Sequence, residues 1–202
     1  MLALCVIVGF VITLVVLGRR RPRSAFEAGL QRSYPDFIAA ARIIDARTNA
    51  TTPEQLLETI SRTGLQRLND RSLLALIWLR AELAKRAEGA TCSALASGDP
   101  RSLITAIRHL PDSQQRMWAQ LFEVAALSIV RNVPIRPAPS SDAVQMAAVR
   151  AFAGLSAQDR DALRVSLNSS GADACAGERI FYDRLTRADS ADAILITRAQ
   201  LY

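Results

Sequence analysis

The chain has 202 residues and a formal net charge of +6, but four of these charges belong to Arg19, Arg20, Arg21 and Arg23. The rest of the chain is nearly balanced, and aromatic residues make up only 5% of it. Because nucleic-acid binding relies on basic surfaces and stacking aromatic side chains, this composition argues against a nucleic-acid partner.

The first 18 residues predict a transmembrane anchor. Met1–Leu17 contains no charged side chain, and the arginine cluster begins directly after Gly18. As a helix this stretch would span about 26 Å, at the short end of what a bilayer requires. A cleaved secretory signal is the alternative, but it needs a basic start and a small-residue cleavage site, and the segment has neither. A lipoprotein signal at Cys5 does not fit, since the apolar stretch follows that cysteine instead of preceding it.

The arginine cluster predicts how the anchor is oriented. Basic residues beside a membrane helix stay on the cytoplasmic side and attract anionic headgroups. Arg19, Arg20, Arg21 and Arg23 all follow the apolar segment. The excess of arginine over lysine is typical of a GC-rich bacterial genome. We therefore expect a single-pass protein of the bacterial inner (plasma) membrane with its soluble domain in the cytoplasm, and we keep a periplasmic domain as the alternative.

The remainder of the chain predicts an all-α fold. Apolar residues recur at helical spacing in almost every segment, and no alternating run bounded by turn residues indicates a strand. Residues 19–34 are expected to form a basic juxtamembrane stem, and residues 35–202 a soluble domain of about eight short capped helices. Three prolines predict an extended connector over residues 133–140, because proline interrupts helices.

Helix start and stop signals divide this part of the chain. Ser24–Ser33 is expected to be helical and to continue from the anchor, and the Tyr34-Pro35 break begins a second helix. The later helices are predicted to start at Thr52-Pro53, Asn69-Asp70, Ala90, Asp99-Pro100, Pro111-Asp112, Ser141-Asp142, Ser156, Asp173 and Ser190.

The helix predicted from Asp70 to about Glu88 has the widest apolar face, which indicates a central position in the core. That face includes Trp78. The helix predicted after Pro111 carries Trp118 on a similar face. We therefore expect both tryptophans in or beside the same core.

The sequence contains no recognisable catalytic motif, phosphate-binding glycine loop or metal-ligand spacing. His109 is the only histidine and lies at the end of a predicted helix, where its simplest role is to interact with terminal carbonyls. An enzyme would have to assemble its site from dispersed residues such as His109, Glu123 and Asp183. We therefore predict no catalytic, cofactor-binding or metal site, and an enzyme or enzyme subunit is the alternative.

Cys92 and Cys175 are the one pair of residues whose role is ambiguous. Each follows a small polar turn and lies near a predicted helix start. They are either two buried thiols or a disulfide between positions 83 residues apart, and the disulfide would require an oxidising compartment. Neither belongs to a C-x-x-C motif, so a redox enzyme has little support.

These observations predict a membrane-anchored, non-enzymatic interaction or assembly module whose helical surface binds another protein. Its expected partners are the lipid bilayer and a protein that the sequence does not identify. A disulfide-bonded periplasmic helical domain is a further alternative. A shallow apolar groove would favour the interaction module, whereas a deep cavity lined by convergent titratable groups would favour an enzyme.

Overall fold

A computed structural model describes residues 22, 24–44, 53–88, 91–92, 100–166 and 172–202. The predicted anchor, the arginine cluster and most of the helix predicted from Ala90 lie outside the described residues. Within them the chain is helical and has no strand, so the predicted all-α class is confirmed. None of the helices in this part of the chain combines the length and the apolar character that a bilayer crossing demands.

The described residues form ten α-helices, and a short 3₁₀ turn at Leu65–Arg67 joins the third to the fourth. The helices are α1 (Ala25–Arg32), α2 (Tyr34–Ile44), α3 (Pro53–Thr63), α4 (Asp70–Arg86), α5 (Pro100–Arg108), α6 (Asp112–Val130), α7 (Ser141–Ala151), α8 (Ala157–Ser166), α9 (Ala172–Arg187) and α10 (Ser190–Ala199).

Side-chain caps set several of these starts. The Asn69 side chain accepts a hydrogen bond from the Ser72 amide at 2.9 Å, as expected for the start of α4. At α7 the cap lies one residue earlier than expected: the Ser140 hydroxyl, and not that of Ser141, accepts from the Ala143 amide at 3.3 Å. A serine pair offers two equivalent caps, and the chain uses the first.

The end of α6 is a Schellman motif. Asn132 has a φ of 51°, a left-handed conformation that asparagine tolerates better than most residues. The Val133 amide then donates to the Ser128 carbonyl at 2.9 Å, which satisfies a terminal carbonyl of the helix. This turn directs the chain into residues 133–140, which contain no helix and are exposed except for the half-buried Pro139.

The central helix is α4, which lies between two hydrophobic cores. Leu73, Leu76 and Leu79 face the larger core, which α4 shares with α1, α2, α3, α5 and α6. Ile77 and Ala81 face the smaller core, which α4 shares with α7, α9 and α10. Burial on two faces explains why the apolar face of this helix is so wide in the sequence.

Of the two tryptophans expected in or beside the same core, Trp118 lies in the larger core and Trp78 lies at the surface of α4, outside it. Trp118 is 1% exposed, and its ring stacks against Phe122 with the centroids 6.0 Å apart. Trp78 is 40% exposed, and Leu74, one turn earlier on α4, is also exposed. The apolar face of α4 is wider than the two cores that cover it, so the Leu74–Trp78 stripe stays at the surface.

Helix α1, which sequence analysis assigned to the stem, is packed into the larger core. Phe26 and Leu30 are buried there. Gly29 lies so close to α6 that an added Cβ would overlap the Cβ of Ala119. The packed domain therefore includes α1, because the Phe26–Leu30 spacing forms an apolar stripe that α6 covers.

Candidate functional site at the junction of α4 and α9

A disulfide bond joins Cys92 to Cys175, whose Cα atoms are 4.9 Å apart. That separation is within the usual range for disulfides. Both side chains are buried, and they form a small cluster with Ala87. The bond ties the chain just beyond α4 to the first turn of α9.

Arg179, one turn after Cys175, binds the same end of α4. Its Nε donates to the Ala84 carbonyl at 3.0 Å, and its Nη2 donates to the Ala87 carbonyl at 2.6 Å. Carbonyls in the last turn of a helix have no intrahelical donor, and a cation there complements the helix dipole. The disulfide and Arg179 therefore fix the C-terminal end of α4 to α9 by two independent means.

Further along the same interface, Arg80 contacts Tyr182. Arg80 Nη1 donates to the Tyr182 hydroxyl oxygen at 2.7 Å, and the guanidinium carbon lies 5.9 Å from the ring centroid. Burial raises the pKa of Tyr182, and the positive charge of Arg80 opposes that rise. Burial likewise raises the pKa of Glu178, with Arg80 again opposing.

This cluster has acid–base groups but lacks the geometry of a catalytic site. The hydroxyl of Tyr182 is already occupied by Arg80, and the residue is buried. A proton-transferring pair needs an opening where a substrate atom can approach it. We interpret Arg80, Glu178 and Tyr182 as a partly buried polar cluster between α4 and α9, in which the Arg80–Tyr182 hydrogen bond helps to align the two helices.

The three dispersed residues suggested for an enzyme lie on different elements. His109 is exposed in the turn after α5, and Glu123 lies on α6. Asp183 lies on α9 and pairs with Arg187 at 2.9 Å. No hydrogen bond or ion pair between described residues joins any two of the three. In the same part of the chain, no group of three or more His, Cys, Asp or Glu residues is arranged to hold a metal ion.

The exposed apolar residues of α4 and α6 were not predicted from the sequence, because Trp78 was expected in or beside the core. The two helices pack antiparallel. The Gln114 amide donates to the Glu82 carboxylate at 3.1 Å near one end. The 3₁₀ turn before α4 packs on α6 near the other end, where a Cβ added to Gly64 would lie 2.9 Å from the Ala125 carbonyl oxygen. Leu74 and Trp78 are one turn apart on α4, and Met117 and Val124 are two turns apart on α6. From this helical spacing we infer that the four exposed apolar residues share one side of the helix pair. We call them the Trp78 surface: Leu74, Trp78, Met117 and Val124.

A second feature that the sequence did not predict is a cleft of about 380 Å³, which lies where α7 and α9 end and α10 begins. Three arginines, Arg150, Arg184 and Arg187, line it together with Asp189 and Asp192. Arginines occur along all the surface helices, so nothing local distinguishes these three. Only the packing of α7 and α9 against α10 brings them together.

Comparisons with known proteins add no functional information. No protein-family model matches the chain, and no curated protein or solved structure is significantly similar to it. The function therefore has to be inferred from the geometry of the described residues.

Proposed function

We propose that the protein is a non-enzymatic helical interaction module, held at a membrane by its N-terminal segment, that binds a protein partner through the Trp78 surface. The observation that carries this proposal is the exposure of Trp78 on the central helix, where 40% of the residue is accessible. Tryptophan is enriched among the residues that dominate binding energy at interfaces. A partner that covers this indole would remove a large apolar area from water.

The shape and surroundings of the Trp78 surface support the proposal. Its apolar residues come from two adjacent helices, so they form a shallow strip and not a deep cavity. Polar side chains border the strip, among them Arg71 and the ion-paired Glu82 and Lys85, which lie 2.7 Å apart. An apolar centre with a charged rim is the usual arrangement at protein–protein interfaces.

The N-terminal sequence supports the membrane attachment. Met1–Leu17 is apolar throughout, and the arginine cluster that follows suits contact with anionic headgroups. Because α1 already belongs to the packed domain, only a few residues separate this segment from the core. The domain would therefore lie close to the bilayer, and its protein partner would be one that is itself at the membrane.

The disulfide supports a second candidate for the location of the domain. The arginine cluster favours the cytoplasm, whereas a stable disulfide requires an oxidising compartment. The domain has only two cysteines, 83 residues apart, and the fold brings their Cα atoms to 4.9 Å. Two randomly placed residues seldom meet at that distance. We therefore infer that the domain faces the oxidising, periplasmic side, against the direction that the charges favour.

Site-specific photocrosslinking in native membranes tests the binding surface. A photoreactive residue at Met117, which belongs to the Trp78 surface, is expected to capture one discrete protein. The matched control is Val149 on α7, which is 62% exposed but lies outside the Trp78 surface. Trp78→Ala should weaken association with the captured protein about tenfold or more, and Val149→Ala should leave it unchanged. Equal capture from both positions, or an unaffected Trp78→Ala variant, would contradict the proposal.

A further inference from the structure

The cleft between α7, α9 and α10 has more guanidinium donors than its carboxylates satisfy. Arg150 is engaged by Asp192 through two hydrogen bonds of 2.9 and 2.6 Å. Arg187 is engaged by Asp183 at 2.9 Å. Arg184 also lines the cleft and is half-buried, and its side chain has no hydrogen-bond or ion-pair partner among the described residues.

The two carboxylates of the cleft are committed to other groups. The hydrogen bonds and charge of Arg150 hold the pKa of Asp192 below its usual range, so this carboxylate stays ionised and paired. The Asp189 side chain accepts from the Ala191 amide at 2.8 Å and thereby caps α10. The N-terminus of α10 contributes positive partial charge at the cleft, and the C-termini of α7 and α9, which end there, contribute negative partial charge. The guanidinium of Arg184 therefore lines the open space of the cleft without a carboxylate partner.

We propose that this space, which we call the Arg184 cleft, binds a phosphate-type oxyanion. A guanidinium presents parallel N–H groups that match two oxygens of such an anion. These charge-assisted hydrogen bonds are stronger than hydrogen bonds between neutral groups. The volume of about 380 Å³ holds a phosphate group and a small attached moiety. The oxyanion comes either from a free phosphate compound or from a phospholipid headgroup. Only the second source rests on the membrane attachment proposed above.

The first experiment measures thermal unfolding of the full chain in a neutral detergent. Inorganic phosphate is titrated at constant ionic strength, with chloride as the balancing anion. We expect phosphate to raise the unfolding midpoint of the wild type, because a ligand that binds only the folded state stabilises it. Arg184→Gln should weaken the apparent phosphate affinity about tenfold. The control is Arg164→Gln on α8, which removes an exposed arginine paired with Asp161 and should behave as the wild type.

A second arm identifies the source of the oxyanion. The full chain is placed in nanodiscs of phosphatidylcholine, with or without phosphatidylglycerol. If phosphatidylglycerol stabilises the wild type and Arg184→Gln abolishes that stabilisation, the cleft binds a lipid headgroup. If only inorganic phosphate stabilises the wild type, the cleft binds a free phosphate compound. The proposal is overturned if neither addition stabilises the wild type more than Arg184→Gln. A chain that fails to enter nanodiscs contradicts the membrane anchor, but the phosphate titration still decides the cleft.

Discussion

Replacing Trp118 with alanine should lower the free energy of unfolding by about 3–5 kcal/mol, because a large buried side chain leaves a cavity when it is removed. Trp118 is 1% exposed and stacks on Phe122 in the larger core. The matched control is Trp78→Ala on α4, which removes the same side chain from a surface position and should cost less than about 1 kcal/mol. Urea denaturation followed by far-ultraviolet circular dichroism measures both. Equal losses would contradict the assignment of one indole to the core and the other to the surface.

Loss of the Cys92–Cys175 bond is the second large effect. Opening a loop between residues 83 positions apart should cost about 4 kcal/mol by the chain-entropy argument. Cys92→Ala, Cys175→Ala and the double variant should therefore be destabilised to a similar extent, and dithiothreitol should bring the wild type to the same level. Cys5→Ala is the control and should change nothing in the domain. A Cys175→Ala variant as stable as the oxidised wild type would show that the bond contributes nothing.

The helical fold could be predicted from the sequence because its signals are local. Capping residues and prolines lie within a few positions of the helix ends they set, as at Asn69 for α4 and Pro100 for α5. The central position of α4 was also predicted, from the breadth of its apolar face. The place of Trp78 was not predictable in this way. Which part of a wide apolar face is covered depends on the helices that pack against it, and their positions are not encoded locally.

The candidate sites also differ in whether they could be predicted from local sequence. Cys92 and Cys175 could be singled out because cysteine is rare in this chain and has few roles. Their bond depends on α9 packing beside α4, which no local pattern reveals. The Arg80–Tyr182 contact and the Arg184 cleft were missed for the same reason. Their members are ordinary surface residue types in the sequence, and they acquire a role only where distant helices meet.

The redox state of the three cysteines in living cells tests most directly whether the disulfide forms and which side of the membrane the domain faces. Cells are quenched in acid, free thiols are blocked in denaturant, and the protein is then reduced and labelled with a maleimide that shifts its mass. Denaturation makes buried thiols accessible, so burial does not bias the count. A disulfide-closed domain on the oxidising side of the membrane predicts two labels, and both should disappear in Cys92→Ala. Three thiols blocked before reduction, with no later label, would mean a reduced domain, and the periplasmic assignment would be wrong.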